Sequence, residues 1–250
     1  FPNEPKWFNF WSFADQGNKI SGTVTAISKD SEGYIWCCVD NDGVFKFDRN
    51  GKVVASFPQP KAGATIFEDS KNSLWIGTYD KGIGKINKQT GEVNYLAEFA
   101  GKQAKFVTGD QQGNLYISTF GTGFCRYNTS TGSIQRFEAS TSASTKGLLS
   151  NNWISTMFLD SEGLLWLGHY KGIDCFNTRT NRFLSFKFGD IMSKTICFSL
   201  LEDHKGNICF GTNSGLYVYN KKKQSIKHYT IENGLSNNVI SGLEIGRAHV

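Results

Sequence analysis

One short phrase recurs five times along the chain, at intervals of about 40 residues. Each copy has an apolar run, an Asp, two variable residues, a Gly or Asn, one more residue and an aliphatic residue, and three copies then have a Trp. A period of this length is typical of repeat folds in which every repeat is one supersecondary unit. The residues that begin the five copies are Asp30, Asp69, Asp110, Asp160 and Asp203.

Short alternating runs bounded by Gly, Asn and Asp surround each copy, as in Gly215–Asn220. Such runs predict strands joined by tight turns, and no stretch keeps the 3.6-residue apolar period of a helix. Four strands in about 40 residues are typical of one propeller blade. The sequence therefore predicts an all-β fold, a β-propeller of four-stranded antiparallel blades that is incomplete, with five blades and partial strands at both ends.

The spacing of the copies predicts the domain organisation. Residues 1–243 form one propeller fragment, and 244–250 fit no part of the repeat and are predicted to be a non-native tail. The Ser/Thr-rich run 139–145 predicts an enlarged surface loop. The predicted blades are 24–57, 64–99, 104–137, 153–188 and 195–230, with partial blades at 7–13 and 239–243.

The repeated Asp and Gly residues predict a tight turn. Gly33, Gly113, Gly163 and Gly206 share their place with Asn72, which suits a backbone position with positive φ. The Asp three residues earlier can accept hydrogen bonds from the amides of that turn. A calcium site is the alternative, but each turn has one Asp without a second carboxylate at a fixed offset. We therefore expect no metal site.

The Trp of the phrase falls on the second predicted strand, where a large flat ring can pack between adjacent sheets. The residues at this position are Trp36, Trp75 and Trp166, with Tyr116 in the third copy and Cys209 in the fifth. We expect these two junctions to pack differently and less tightly.

The charge pattern and the cysteines exclude several classes of protein. The net charge of +5 comes from scattered residues, and the one basic cluster, 221–223, predicts a solvated turn rather than a nucleic-acid site. The six cysteines have no metal-ligand spacing and fall in apolar runs, which indicates small buried side chains. We expect no cofactor, and no run approaches the ~18 apolar residues that span a bilayer.

The loops between the second and third strands hold the candidate ligand-binding residues. Aromatic rings there can stack on sugar rings, and the polar side chains can bind hydroxyl groups. The alternative is that each is an ordinary solvated turn residue. For Asn151, Asn152, Asn237 and Asn238, which precede innermost strands, backbone capping is favoured over ligand contact. The candidates are Asp40, Tyr79, Asp80, Phe120, His169, Tyr170 and Asn213.

A longer phrase, L-S-N-N-x-I…D-x-x-G-x-L-W-x-G…G-L-x-x-Y-N, runs from Leu149 to Asn177, and its later part from Leu201 to Asn220. It resembles the two-component regulator propeller repeat, and departs from it at His169, where that family has Thr, and at Ile173–Phe176. The resemblance extends over about 24–241. It implies a periplasmic sensing region of a membrane histidine kinase that detects glycan fragments. It also implies that the partners are an oligosaccharide, the remainder of the kinase and a second copy, with the membrane reached through another segment of the parent protein.

Two alternatives remain open. Gly82–Ile86 is similar to the Ile-Gly-x-Ile phrase of streptogramin-lyase-like propellers. Such an enzyme needs a His base beside a metal-binding acidic group, and of the four histidines only His169 falls on the candidate face. We therefore expect no catalytic residue in this segment. The third possibility is a protein-binding scaffold.

Overall fold

The structure is a computed structural model that describes residues 22–139, 148–186, 192 and 194–243. Within these residues, twenty strands form five four-stranded antiparallel sheets, and inside each sheet the strands pair in chain order. The predicted all-β class is confirmed. The chain divides into two compact units, with the boundary between Val107 and Thr108, inside strand β9.

The first unit contains two complete sheets. Both are meanders, and a 3-10 helix at Ala97–Phe99 follows the second. The strands are β1 (Val24–Lys29), β2 (Ile35–Val39), β3 (Gly43–Phe47), β4 (Val53–Phe57), β5 (Gly63–Glu68), β6 (Leu74–Thr78), β7 (Ile83–Ile86) and β8 (Val93–Tyr95).

The second unit contains most of the third sheet and all of the fourth and fifth. A 3-10 helix at Ile231–Asn233 follows the last strand. The strands are β9 (Ala104–Gly109), β10 (Asn114–Thr119), β11 (Phe124–Asn128), β12 (Ile134–Phe137), β13 (Ile154–Leu159), β14 (Leu164–His169), β15 (Gly172–Asn177), β16 (Arg182–Leu184), β17 (Cys197–Glu202), β18 (Ile208–Thr212), β19 (Gly215–Asn220) and β20 (Ser225–Tyr229).

The predicted ends of the repeat array have different outcomes. The partial blade at 7–13, the tail at 244–250 and most of the Ser/Thr-rich insert lie outside the described residues. The predicted strand at 239–243 is wrong, since no strand is formed there. Only the Ile240 N–H donates to the preceding sheet, at 2.8 Å from the Thr212 carbonyl, and one such bond does not make a ladder.

The predicted turn is confirmed in all five copies. Gly33, Gly113, Gly163 and Gly206 have φ between 76° and 90°, and Asn72 has φ 60°. The Asp carboxylate accepts backbone N–H groups of the turn, as Asp160 Oδ1 does from Glu162 and Leu164 at 3.0 and 2.9 Å.

The second carboxylate oxygen binds the ring of the same repeat. Trp36 donates its indole N–H to Asp30 at 2.8 Å, and Tyr116 donates its hydroxyl to Asp110 at 2.9 Å. One side chain therefore closes the turn and orients the core ring. In the fifth copy the ring is replaced by Cys209, and Asn207 Nδ2 donates to Asp203 instead.

The rings fill the space between neighbouring sheets, as predicted. Trp36 is completely buried, stacks on Phe57 and packs against Ile66 and Ile76 of the second sheet. Trp166 packs in the same way against the fifth sheet. Tyr116 is also completely buried, against the fourth sheet, while the looser packing expected of its junction stays a prediction.

Two lysines join neighbouring sheets through carboxylates. Lys221 Nζ contacts Asp160, Glu162 and Glu202 at 2.9, 3.0 and 2.8 Å, and we call these four residues the Lys221 cluster. In the first unit Lys88 contacts Glu68 and lies 4.0 Å from Asp30. The prediction that 221–223 is a solvated turn is therefore wrong for Lys221, whose ammonium is held by three carboxylates.

Candidate functional site

The candidate residues of the first unit lie in two loops that join second and third strands. Asp40 follows β2, while Tyr79 and Asp80 follow β6, and all three are exposed. The loop after β2 contacts the segment that leads into β5, because the Asn41 N–H donates to the Lys61 carbonyl at 3.0 Å. Within this unit, the loop after β2 therefore lies beside the connection between the two sheets.

Asp80 places a negative charge near Tyr95 on β8. Burial of the phenol and the Asp80 carboxylate raise the pKa of Tyr95 to about 12. The Lys81 ammonium lies 5.8 Å from the centroid of the Tyr95 ring. A carboxylate, an ammonium and a ring therefore accompany the exposed side chain of Tyr79 in this part of the first unit.

The candidate residues of the second unit occupy the equivalent loops. Phe120 follows β10, Tyr170 follows β14 and Asn213 follows β18. The Phe120 and Tyr170 side chains are 53% and 56% exposed. Large aromatic rings are more often half-buried or buried, so these two rings are open to a ligand.

Phe120 contacts a second exposed ring that sequence reasoning did not select. Trp153, which precedes β13, meets Phe120 edge to face, with centroids 4.5 Å apart and an interplanar angle of 81°. Trp153 is 47% exposed. A Cβ on Gly121 would lie 3.5 Å from the indole, an ordinary contact distance. The signal was present, since Trp153 takes the variable position of L-S-N-N-x-I, where the later copy has Val239.

The prediction that His169 lies in a ligand-binding loop is wrong. His169 is the last residue of β14, and its side chain is completely buried. Its Nδ1 accepts the Lys171 N–H at 3.1 Å. At the equivalent end of β18, Thr212 Oγ1 accepts the Ser214 N–H at 3.1 Å. His169 therefore closes the loop as the threonine of other repeats does.

The other nitrogen of His169 faces a serine and a carboxylate. Nε2 lies 3.0 Å from Ser150 Oγ and 3.2 Å from Asp174 Oδ2, and Ser150 Oγ donates to Asp174 at 2.8 Å. Because Nδ1 accepts a backbone N–H, the neutral ring carries its proton on Nε2. A catalytic triad needs an unprotonated nitrogen facing the serine and the opposite nitrogen facing the carboxylate. This cluster has one nitrogen facing both groups, so His169 is not placed to act as the base for Ser150.

The asparagines before innermost strands cap the backbone, as predicted. Asn151 and Asn237 accept the N–H groups of Trp153 and Val239 at 2.7 and 2.8 Å. Asn152 accepts the Ala139 N–H at 2.6 Å, and Asn238 accepts that of Ile231 at 2.9 Å. Asn151 and Asn152 therefore fix the path of the chain into β13, and Asn237 and Asn238 fix the path of the segment after the second 3-10 helix.

Over the ranges that the structure describes, no three His, Cys, Asp or Glu side chains are grouped so that they could hold a metal ion. Those ranges also contain no helix whose length and apolar character would let it cross a membrane.

Comparison with known proteins identifies the repeat. Residues 56–80 and 148–171 match the family model described as two component regulator propeller. No curated protein shows significant sequence similarity to the chain.

Solved structures share the fold. The chain is similar to the extracellular domain assigned to the hybrid two component system BT3049 of B. thetaiotaomicron, with a TM-score of 0.72 and 20% identity over 89% of this chain and 30% of that one. It is also similar to the extracellular domain assigned to the one component system BT4673 of the same organism, with a TM-score of 0.61 and 18% identity over 90% of this chain and 36% of that one. The chain thus spans about a third of the length of these two structures.

A propeller enzyme has a similar fold. A catalytically inactive virginiamycin B lyase from Staphylococcus aureus, solved with quinupristin, has a TM-score of 0.63 and 16% identity over 85% of this chain and 71% of that one. At these identities the likenesses show the fold alone, which confirms the predicted β-propeller. The chain therefore carries repeats of the two-component regulator propeller family, at residues 56–80 and 148–171.

Proposed function

We propose that this chain is part of the extracytoplasmic sensing region of a two-component histidine kinase, and that it binds glycan fragments. The family match and the similarity to the extracellular domains assigned to a hybrid two component system and to a one component system support a sensing role. The observation that carries the ligand class is the exposed pair Phe120 and Trp153, contributed by neighbouring sheets.

The pair has the properties that sugar rings require of a binding surface. The C–H faces of a pyranose pack on flat aromatic surfaces, and two perpendicular rings present one face and one edge. Asn213 adds an exposed amide at the equivalent loop of the fifth sheet; its Oδ1 accepts the Ile196 N–H at 2.9 Å, and its Nδ2 can donate to hydroxyl groups. In the first unit, Asp40, Tyr79 and Asp80 offer the same combination of a ring with polar groups.

The test is a glycan-binding measurement with single-ring variants. We expect the chain to bind one or more oligosaccharides in a calorimetric screen, and Trp153→Ala or Phe120→Ala to weaken binding at least tenfold. Ile231→Ala is the matched control, because Ile231 is also more than half exposed but lies after the last strand. No glycan binding, or equal affinity in all four proteins, would overturn the glycan proposal.

The sensing proposal also includes partners. We expect the parent protein to contain a kinase region and to act as a homodimer. The gene sequence downstream of this segment tests the first expectation, and the solution mass of the intact sensor region tests the second.

A lyase is the second candidate, favoured by the similarity to virginiamycin B lyase. The chain would then act on quinupristin. Incubation with quinupristin followed by chromatography tests this directly, and unchanged quinupristin would contradict this candidate. The proton on Nε2 of His169 already argues against this residue as the base.

A further inference from the structure

A lysine ammonium lies between neighbouring sheets at two places in the chain. In the Lys221 cluster, Nζ lies between Asp160 of the fourth sheet's turn and Glu202 of the fifth sheet. In the first unit Lys88 and Glu68 of the second sheet meet the turn at Asp30 in the same way. At the end of the sheets where the Asp turns lie, the space between two neighbouring sheets therefore accommodates an alkylammonium group.

The junction between the third and fourth sheets lacks this lysine. Thr178 follows Asn177 at the end of β15, as Lys221 follows Asn220 at the end of β19. Leu159 precedes the turn aspartate of the fourth sheet, as Glu202 precedes that of the fifth. The lysine and its carboxylate partner have both been replaced by shorter, uncharged side chains.

An open cavity of about 720 Å³ occupies this junction, entirely within the second unit. Thr178 and Leu159 line it, together with the turn of the third sheet around Asp110 and the turn of the fourth sheet around Gly163. The space that the Lys221 and Glu202 side chains fill in one junction is therefore open in the other.

The charges around the cavity favour a cation. Its ionisable lining residues among the described part of the chain are Asp110, Asp160, Glu162 and Arg179. Asp160 and Glu162 already pair with Lys221. Asp110 accepts hydrogen bonds from the Gln112 and Asn114 N–H groups, from Asn114 Nδ2 and from the Tyr116 hydroxyl, and all four donors are neutral.

One of these neutral donors stands in for the missing lysine. Asn114 Nδ2 donates to Oδ2 of Asp110 at 2.9 Å, which is the oxygen and the distance that Lys221 has at Asp160. An amide satisfies the hydrogen bond but does not compensate the carboxylate charge.

We propose that this cavity binds a small organic ammonium ion, such as an alkyl diamine, whose ammonium group lies beside Asp110 as Lys221 lies beside Asp160. The site lies where the second strands begin, at the end opposite the loops of Phe120 and Tyr170. The inference is therefore independent of the proposed glycan site, and either can fail without the other.

The probe is 1,5-diaminopentane, titrated into the whole chain and followed by calorimetry and by NMR amide shifts. We expect saturable binding, with the largest shifts at Gln111, Gln112 and Ser161 on the two turns. Xylitol, which is of similar length and uncharged, is the matched ligand control. No saturation, or equal binding of xylitol, overturns the proposal.

Two variants locate the site. Thr178→Lys supplies a tethered ammonium and should weaken diamine binding at least tenfold, whereas Thr178→Ser keeps the cavity and should change it less than twofold. Circular dichroism of both variants establishes that they fold. Equal binding by Thr178→Lys and the natural chain would overturn the assignment of the site.

Discussion

Trp166 donates its indole N–H to Oδ2 of Asp160, six residues earlier, at an N···O distance of 3.0 Å. Trp36 and Asp30 and also Trp75 and Asp69 make the same bond at 2.8 Å. The aspartate closes a turn with its other oxygen. The turn and the ring between the sheets are therefore one unit, which explains why both recur at a fixed spacing.

Trp166→Phe should destabilise the chain, because it removes the hydrogen bond and part of the packing of the ring. The substitution keeps an aromatic side chain but removes the donor, and it leaves Asp160 with one bond fewer at a buried position. We expect a loss of about 1–3 kcal/mol in the free energy of unfolding, measured by urea denaturation. Trp153→Phe is the control, because that indole is half exposed, and should change the stability by less than about 0.5 kcal/mol. Equal effects would contradict the role assigned to the bond.

Lys221→Met should destabilise the junction between the fourth and fifth sheets. The lysine side chain is 10% exposed and its removal leaves Asp160 and Glu202 without their cation. Because the cluster is only partly buried, we expect about 1–3 kcal/mol, below the cost of breaking a fully buried pair. Lys222→Met is the matched control, since Lys222 is exposed, and should be nearly neutral in the same urea experiment.

The Lys221 cluster should also give the stability a defined pH dependence. Burial would raise the pKa of Glu202, but hydrogen bonds from Lys221 and Ser161 outweigh it and lower that pKa. Burial would lower the pKa of Lys221, but hydrogen bonds to Glu202, Asp160 and Glu162 outweigh it and raise that pKa.

The two shifts place the stabilisation between two pH limits. A lowered carboxyl pKa stabilises the fold above its unfolded value and is lost as the pH falls; a raised lysine pKa stabilises below its unfolded value and is lost as the pH rises. The stability difference between the natural chain and Lys221→Met should therefore be largest near neutral pH. It should shrink below about pH 4 and above about pH 11. A difference independent of pH would contradict the ionic origin.

We expect His169→Ala to lower the free energy of unfolding, and not to affect ligand binding alone. The buried ring bonds the Lys171 N–H and faces Ser150 and Asp174, so its loss removes these hydrogen bonds and the packing of a buried ring, at about 1–3 kcal/mol. The neighbouring variant Tyr170→Ala removes an exposed ring and should unfold at the same urea concentration as the natural chain. A His169→Ala variant that is as stable as the natural chain would contradict the structural role of His169.

The fold could be predicted because its signals are local. The turn needs a residue that tolerates positive φ, which explains why Gly163 and Asn72 occupy the same place in their repeats. Alternating runs such as Gly215–Asn220 predict strands without further information. The strand at 239–243 could not be excluded in this way, since a strand requires a partner that the local sequence does not specify.

The site was less predictable because burial depends on contacts distant in sequence. His169 reads as a loop residue beside Tyr170, and only the fold brings Ser150 and Asp174 to its ring. Lys221 reads as one of three surface lysines until Glu202 is placed next to it. The signal was the joint occurrence of Glu before the turn and Lys after the third strand, in the second and fifth repeats alike.

The cysteines should be unreactive in the folded chain. Cys37 and Cys38 are completely buried, and burial raises the pKa of each thiol to about 12. Cys197 is also completely buried, and burial raises the pKa of its thiol to about 12. Burial raises the pKa of Cys209, the one partly exposed thiol, to about 11. Because the thiolate is the nucleophile, both burial and the raised pKa slow the reaction with a disulfide reagent.

At pH 8 we therefore expect none of the six thiols to react with 5,5′-dithiobis(2-nitrobenzoic acid) at the rate of free cysteine, and all six to react in guanidinium chloride. Cys209 should be the first to react as denaturant is added, because its side chain replaces the ring of the fifth repeat and is only partly covered. Mass spectrometry of the labelled peptides identifies the order. Fast labelling of Cys37 or Cys38 in the native chain would mean that the junction between the first two sheets opens, contrary to the packing of Trp36 against Phe57 and Ile66.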